Sequence, residues 1–513
     1  MHKPPADAVL QIDATIGDVI VRNAQLHGDA VAFRFGADGA HAVTHRDHLK
    51  RVEQLAAGLH RAGIEPGDRL SILSKNRIEY VELVGAAARL GAIVAAINWR
   101  LSAAEVLAVL AGDDPKMVFA EDEFWALLDP ALDRVGSPLE PVAIGHQRQG
   151  FRGIDALYLD EAAPRVAVAA DAALLLIHTA WTEGLPKAAM LSHRSLIAAA
   201  QQLHDAWALR ADAVHLCCLP LFHCTAVSLT LATQLAGGSS VLMPKYATDQ
   251  AVQLIREHRV TLLAEFAPML DGLLSTGDNV AANLASIRHV CGLDTPQTMA
   301  RLEATCSEAR FWVGYGQTEV SGLATLGRFR DAPGTCGAPL PLCNVTIVDD
   351  AGHPLPIGQT GEIVVRGPSV FLGYRGRPEE NERAFRSGGL HTGDSGRFDA
   401  DGRLCYAGRL AVKELIKTGG ENVYPSEVEA VLRRHPALLD AVVIGVPDPQ
   451  WGESIKAICV SVAGTLPTAD ELIDFVGASI ARYKRPRIVV FATALPTRAD
   501  GSTDREQVRQ LHG

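Results

Sequence analysis

Thr318 and Glu319 place a hydroxyl beside a carboxylate at the end of the run Gly314-Tyr315-Gly316-Gln317-Thr318-Glu319. Oxygen donors of that kind suit a hard cation such as Mg²⁺. In the same run Tyr315 offers an aromatic face for a base, and Gly316 permits close backbone approach. It is not the dinucleotide fingerprint GxGxxG, because Glu319 stands where the third glycine belongs. A second stretch, His178–His193 (HTAWTEGLPKAAMLSH), has Gly184-Leu185-Pro186-Lys187 at its centre. Glycine lets backbone amides approach phosphate oxygens, and a lysine adds a point charge. Trp181 and Glu183 bring bulk and negative charge to the same place. Lys187 is followed by Ala188, so the stretch is not the nucleotide-binding GxxxxGK[ST] pattern. Because the apolar run Leu174–Ile177 precedes it, a strand, a loop and then a helix are expected, the order that turns backbone amides toward an anion.

Three further segments carry chemistry. Pro220-Leu221-Phe222-His223 follows an apolar run, and its histidine either gates a pocket or caps a strand end. In His391-Thr392-Gly393-Asp394, a carboxylate in a tight turn suits a ribose diol, since it accepts two hydroxyl hydrogen bonds; an ordinary Asx turn is the alternative. Gly419-Gly420-Glu421, inside Lys417–Pro425, allows backbone rearrangement or the passage of a narrow ligand, or marks a plain turn.

The elements that must position these residues alternate along the chain. Leu70–Leu73, Ala92–Ile97, Val214–Leu219, Ser239–Met243, Val260–Phe266 and Arg310–Val313 read as short buried strands between helical segments such as Tyr80–Leu90. That alternation predicts an α/β layered sheet. After Gly334, short strands at Asn344–Val348, Glu362–Arg366 and Arg403–Tyr406 predict a small β-rich subdomain. From about Leu415 a compact tail mixes the helices Ser426–Arg434 and Asp470–Ala478 with the strands Ala441–Val446 and Ala457–Val462. The fold class is therefore α/β, with a large multi-subdomain N-terminal domain over 1–408 and a small α+β C-terminal domain over 409–513.

At 513 residues the chain exceeds one ordinary core. A formal net charge of −11 argues against general polyanion binding, so no nucleic-acid partner is expected. The apolar runs are too short to span a bilayer, and the first residues, with Asp7, Asp13 and Asp18, do not read as a secretory leader. The nine cysteines show no paired spacing, so buried free thiols in a reducing cytoplasm are expected.

In order and separation these five segments resemble the adenylate-forming superfamily of acyl-CoA synthetases, luciferases and peptide-synthetase adenylation domains. The similarity extends through Gly361–Gly367 (GEIVVRG), Gly373-Tyr374 and Val446–Glu453 (VPDPQWGE), and Gly419–Glu429 (GGENVYPSEVE) looks most like the fatty-acyl and aryl-CoA ligase branch. The resemblance implies that ATP, Mg²⁺ and a carboxylic acid give an acyl-adenylate, whose acyl group coenzyme A then takes as the small domain turns. It implies an ATP/AMP site of Thr179, Thr182, Gly184, Gly292, Leu293, Asp294, Tyr315, Gly316, Gln317, Thr318, Asp394 and Arg409. Glu319, Thr318 and Lys187 would be catalytic, with Glu319 and Thr182 at the metal. His223, Glu265 and Gly314 would lie at the acyl pocket, with Glu265 either at its rim or hydrogen-bonded. Lys413, Gly419, Gly420 and Glu421 would form the hinge and thiol tunnel.

The sequence also departs from the family pattern. Where the phosphate loop usually reads close to TSGTTGxPKG, Ala180, Trp181, Glu183 and Ala188 differ. Where a lysine follows glycine in PKTxxGKxxR, the run Pro496–Arg505 (PTRADGSTDR) has Ser502. Leu410, Ala411 and Val412 lengthen the approach to the hinge, and Cys291–Thr295 replaces a glycine-rich segment. An ATP-dependent carboxylate–CoA ligase with altered phosphate handling is the leading expectation. Activation of an unusual acid, or transfer to an amine, a nitrite-type oxyacid or a carrier protein, is the second. A non-catalytic nucleotide or acyl-CoA binding protein is the third. The sequence leaves the acid and the oligomeric state open, a homodimer included.

Overall fold

The computed structural model describes residues 13–134, 139–146, 148–179, 186–277, 279–409, 415–419, 421–448, 450–465, 467–498 and 503–513. Two large sheets dominate the N-terminal part. A seven-stranded sheet runs Arg152–Gly153, Glu140–Ile144, Met117–Glu121, Arg69–Leu73, Ile93–Ala96, Ala173–Thr179, Lys187–Ser192. All its neighbours are parallel except the last pair. A nine-stranded sheet has Val214–Cys217, Leu262–Phe266, His289–Leu293 and Arg310–Val313 as its parallel centre. Parallel strands are covered on both faces, so their sequences are near-continuous apolar runs. Leu70, Ile72, Leu174, Leu262 and Phe311 are accordingly shut off from solvent. Each such side chain contributes about 1.5–3 kcal/mol on burial.

Side-chain caps start the covering helices. Ser192 accepts from the Ser195 amide and opens the helix His193–Ala206, and Ser102 caps Ala103–Asp113 in a reciprocal pair with Glu105. One apolar cluster spans both sheets, from Leu70 and Phe119 to Leu262 and Tyr315, so loops at the ends of the two sheets are held in fixed register.

The β-rich subdomain is a four-stranded antiparallel sheet of Asn344–Val348, Gly361–Arg366, Leu390–Phe398 and Leu404–Arg409. The tail folds around the long antiparallel pair Leu438–Asp448 and Gly452–Ser461, with Ile488–Phe491 added in parallel and a short hairpin of Ile416–Thr418 and Glu421–Val423 at one edge. All nine cysteines are free of disulfides, as expected. No helix among the described residues is long and apolar enough to cross a membrane.

Two local expectations are corrected. The run after the glycine-lysine loop is a strand, Lys187–Ser192, antiparallel to Ala173–Thr179, and the helix begins only at His193. The reason is a second partner: Leu372–Arg375 stitches onto its outer edge through Met190 N–Gly373 O, Leu372 N–Met190 O and Arg375 N–Ala188 O, each 2.9 Å. Asp394 lies inside the strand Leu390–Phe398, not in a tight turn. Gly393 beside it has φ +70°, and its amide donates to Glu362 Oε1 at 3.0 Å.

Candidate active site

Arg310–Val313 ends at Gly314, where the chain turns into the small hairpin Gly316–Gln317 with Gly322–Leu323. A β-carbon on Gly316 would lie 1.9 Å from the Gly322 carbonyl oxygen, so this glycine is required by the hairpin itself. Tyr315 is nearly buried, with its amide donating to Thr325 Oγ1 at 3.0 Å and its hydroxyl to Asp394 Oδ2 at 2.8 Å. Burial first, and the Asp394 charge second, push the Tyr315 hydroxyl well above its ordinary pKa, so it stays a donor. Gln317 Nε2 reaches the same hydroxyl at 3.4 Å, and the Tyr315 ring stacks with Tyr406 at 6.1 Å between centroids. Asp394 sits opposite Arg409 in the strand ladder, with Nε and Oδ1 3.5 Å apart. Arg409 also donates to the Leu415 carbonyl oxygen at 2.8 Å, which ties this cluster to the start of the tail.

Glu319 lies close by, on the 3₁₀ turn Thr318–Val320. Its Oε1 accepts the Tyr374 hydroxyl at 2.6 Å, and its backbone oxygen accepts the Phe371 amide at 2.9 Å. Lys187 Nζ stands 4.5 Å from the centre of the Tyr374 ring. Thr179 pairs with Lys187 across the hairpin, and the Thr318 hydroxyl faces Cys224 Sγ at 3.8 Å. Thr182 and Gly184, like Trp181 and Glu183, lie outside the described residues, as do Lys413, Gly420 and Ser502.

Gly292, Leu293 and Asp294 leave the end of the neighbouring strand, with Leu293 exposed. Glu265 pairs with Gly292 in the ladder, and a β-carbon on Gly292 would fall 2.0 Å from the Glu265 carbonyl oxygen. Glu265 is fully buried rather than at a rim. Burial, then the nearby Asp294 charge, raises its carboxyl well above the ordinary range.

His223 is the residue before the helix Cys224–Leu235, and its Nε2 lies 3.4 Å from Glu421 Oε1. Glu421 also accepts from Arg100 Nη1 and, at 3.4 Å, from Asn98 Nδ2. Burial alone would raise this carboxyl, but His223 and then Arg100 outweigh burial and hold it down at about 2. Two residues before Glu421, Gly419 adopts φ +57° against Trp451, and Arg487 stacks over the Trp451 ring at 4.4 Å. A second bridge joins the same two parts of the molecule: buried Lys484 Nζ contacts Glu105 at 2.7 Å and Glu427 at 2.5 Å.

The structure thus gathers Tyr315, Gln317 and Asp394 with Arg409, Glu319 with Tyr374 and Lys187, and His223 with Glu421. Sequence reasoning gives Tyr374 no place in the site, naming it only within the Gly373-Tyr374 similarity, and misses Arg100, Asn98 and Lys484. Asn98 and Arg100 had a usable signal, since they follow a parallel strand at its carboxyl end, where ligands of open α/β sheets gather.

Comparison with known proteins decides the family. The AMP-binding enzyme model matches residues 20–375, and the AMP-binding enzyme C-terminal domain model matches 427–501. The chain belongs to the AMP-binding enzymes. It is 33% identical to a feruloyl-CoA synthase of an Amycolatopsis species over 97% of this chain and 99% of that one. A solved structure of a putative long-chain-fatty-acid CoA ligase from Rhodopseudomonas palustris is 45% identical, with TM-score 0.74, covering 77% of this chain and 99% of that one. An o-succinylbenzoate CoA synthetase from Bacillus subtilis, bound to a product analogue, is 27% identical with TM-score 0.83, covering 96% and 97%. This AMP-binding enzyme is an acid–thiol ligase of the adenylate-forming superfamily, working with ATP, Mg²⁺ and coenzyme A.

Proposed function

We propose that the enzyme activates an aryl or fatty carboxylic acid and passes it to coenzyme A, with the two half-reactions sharing one site. In the first, an oxygen of the acid bonds to the α-phosphorus of ATP and pyrophosphate leaves. In the second, the sulfur of coenzyme A bonds to the acyl carbon and AMP leaves. AMP is a far better leaving group than hydroxide, which is the physical reason for two steps.

Tyr315 and Gln317 flank the base and Asp394 with Arg409 the ribose, while Gly292, Leu293 and Asp294 border the adenine and Gly314 the acyl group. Glu319 and Thr318 supply oxygens for a cation. Among the described residues no group of three His, Cys, Asp or Glu forms a protein-only cage. One carboxylate and a hydroxyl therefore fit Mg²⁺ arriving with the nucleotide, since Mg²⁺ is usually held by one or two carboxylates plus substrate phosphates. When bound, it neutralises charge on the phosphates. Lys187, at the start of its strand, adds a fixed positive charge on the same side.

The observation that carries the reading is Glu421, brought from the tail onto His223 and Arg100 of the large domain. In this reading the Glu421 contact lies at the acyl end of the site, the arrangement suited to the thiol step. A domain boundary at 408/409 and rotation there, with Lys413 as hinge, complete the cycle. Ser502 replaces the usual lysine, so adenylation depends more on Lys187 and the cation. Thr503 pairs with Thr497, and Arg505 contacts Glu429 at 2.5 Å, so the residues just after Ser502 are fastened within the tail.

The test is AMP release from ATP and Mg²⁺ over a panel of fatty, aryl and amino-bearing acids, with and without coenzyme A. Release that requires both acid and coenzyme A is expected. Release with acid alone would mean a different acceptor, and none with any acid would overturn the reading.

A further inference from the structure

We infer that Tyr374 is a positioning residue that holds the Glu319 carboxylate and the Lys187 ammonium in one fixed register. The inference rests on the reading above, in which those two groups serve the cation and the phosphates.

Two segments far apart in sequence meet on this side chain. Its hydroxyl donates to Glu319 Oε1 at 2.6 Å, on the 3₁₀ turn after the Tyr315 hairpin. Its ring lies under Lys187 Nζ at 4.5 Å, at the first residue of the strand that follows the loop. Such a contact is attractive because the face of an aromatic ring is electron-rich. Tyr374 itself is fixed from behind. The Asn381 side chain accepts from the Tyr374 amide at 2.6 Å and donates to its carbonyl oxygen at 2.9 Å. Gly373 has φ +121°, and a β-carbon there would lie 2.9 Å from Asn381 Oδ1, so only glycine allows the clasp. On either side Gly373 and Arg375 bond to the backbone of the Lys187 strand, and Phe371 bonds to the backbone of Glu319.

The anchor is thus built from main-chain hydrogen bonds and the Asn381 clasp, and it delivers the tyrosine hydroxyl to the carboxylate. Through its 2.6 Å hydrogen bond the hydroxyl occupies one carboxylate oxygen of Glu319 and fixes the direction in which the other faces a cation. Groups that orient metal-binding carboxylates in this way typically change metal affinity by about 10–100-fold when removed.

The experiment uses the full-length enzyme, α,β-methylene-ATP and Mn²⁺ as the spectroscopic probe, read by electron paramagnetic resonance. Tyr374→Phe removes the hydroxyl and keeps the ring. It is expected to raise the Mn²⁺ concentration for half-saturation by roughly 10–100-fold, with metal-free nucleotide affinity unchanged. In a Glu319→Gln background the same substitution should add nothing. Tyr374→Leu, which also removes the ring, should in addition weaken metal-free nucleotide binding by about 2–5-fold. Wild-type Mn²⁺ affinity in Tyr374→Phe, or a full additive effect in the Glu319→Gln background, would overturn the inference alone. Failure of the wild-type enzyme to bind Mn²⁺ with nucleotide would overturn the underlying reading as well.

Discussion

The side of the site proposed for the nucleotide is fastened mainly by hydrogen bonds among neighbouring strands and hairpins of the large domain, whereas the side proposed for the acceptor is fastened by ion pairs between that domain and the tail. Tyr315 to Asp394 and Tyr374 to Glu319 are phenol–carboxylate contacts whose donors do not titrate near neutral pH. Glu421 to Arg100 and His223, and Lys484 to Glu105 and Glu427, join groups that are all mutually charged or chargeable. The first set holds a shape. In the proposed cycle the second holds a position that is given up and regained in every turnover, and it is stable only while its buried charges face their partners. The account therefore treats one side as a fixed cradle and the other as a reversible latch.

The largest break of that comparison is Lys484→Met. It leaves Glu105 and Glu427 facing each other without their cation, a change that costs about 3–5 kcal/mol in comparable buried pairs. Acyl transfer to coenzyme A should fall by about 10²–10³-fold while acid-dependent pyrophosphate release keeps its rate, as single-turnover quenched-flow would read. Ser502→Lys acts in the opposite sense and on the other half-reaction. Restoring a cation aimed at developing phosphate charge should raise adenylation by on the order of 10²-fold, read as ATP–pyrophosphate exchange. A fall would mean that Ser502 belongs to a rebuilt site. Asp394→Asn removes the charge that Tyr315 and Arg409 face, and should weaken ATP binding by about 10–100-fold with coenzyme A binding unchanged, by calorimetry.

The smallest effect is on pH dependence. In the docked arrangement the Glu421 carboxyl sits at about 2, and once released it returns to roughly 4.3. Its pKa is depressed, so the docking stability it contributes is fully present above about pH 4.3 and is lost as pH falls toward 2. The thermal midpoint of the wild type should therefore exceed that of Glu421→Gln by a constant margin from pH 8 to about 5, and the margin should shrink below that.

Much of the fixed cradle was legible in the sequence, and little of the latch. Arg310–Val313, Leu262–Phe266 and Leu70–Leu73 announce themselves as apolar runs because parallel strands are buried on both faces. The site segments then follow from where those runs end. In sequence Lys187–Ser192 reads as the approach to a helix, because its second strand partner, Leu372–Arg375, is remote and carries no local signal. Asp394 was read as a turn residue from its glycine neighbour, although Gly393 only kinks a strand whose direction is set by pairing with Leu404–Arg409. Arg100 and Glu421 are separated by 321 positions, and Lys484 and Glu105 by 379, so no periodicity or spacing could join them. Glu265 was recognised as unusual for the right reason, a carboxylate in an apolar run. Its full burial could be known only once Gly292 and Asp294 were placed beside it.

The most direct test of the cradle-and-latch account is a single-turnover experiment on Glu421→Gln with ATP, Mg²⁺, an accepted acid and coenzyme A. The account predicts that acyl-adenylate forms at the wild-type rate and accumulates, while its consumption by coenzyme A slows by about 10-fold or more, the expected cost of losing a charged hydrogen-bonded contact. Equal slowing of both steps, or of adenylate formation alone, would contradict it.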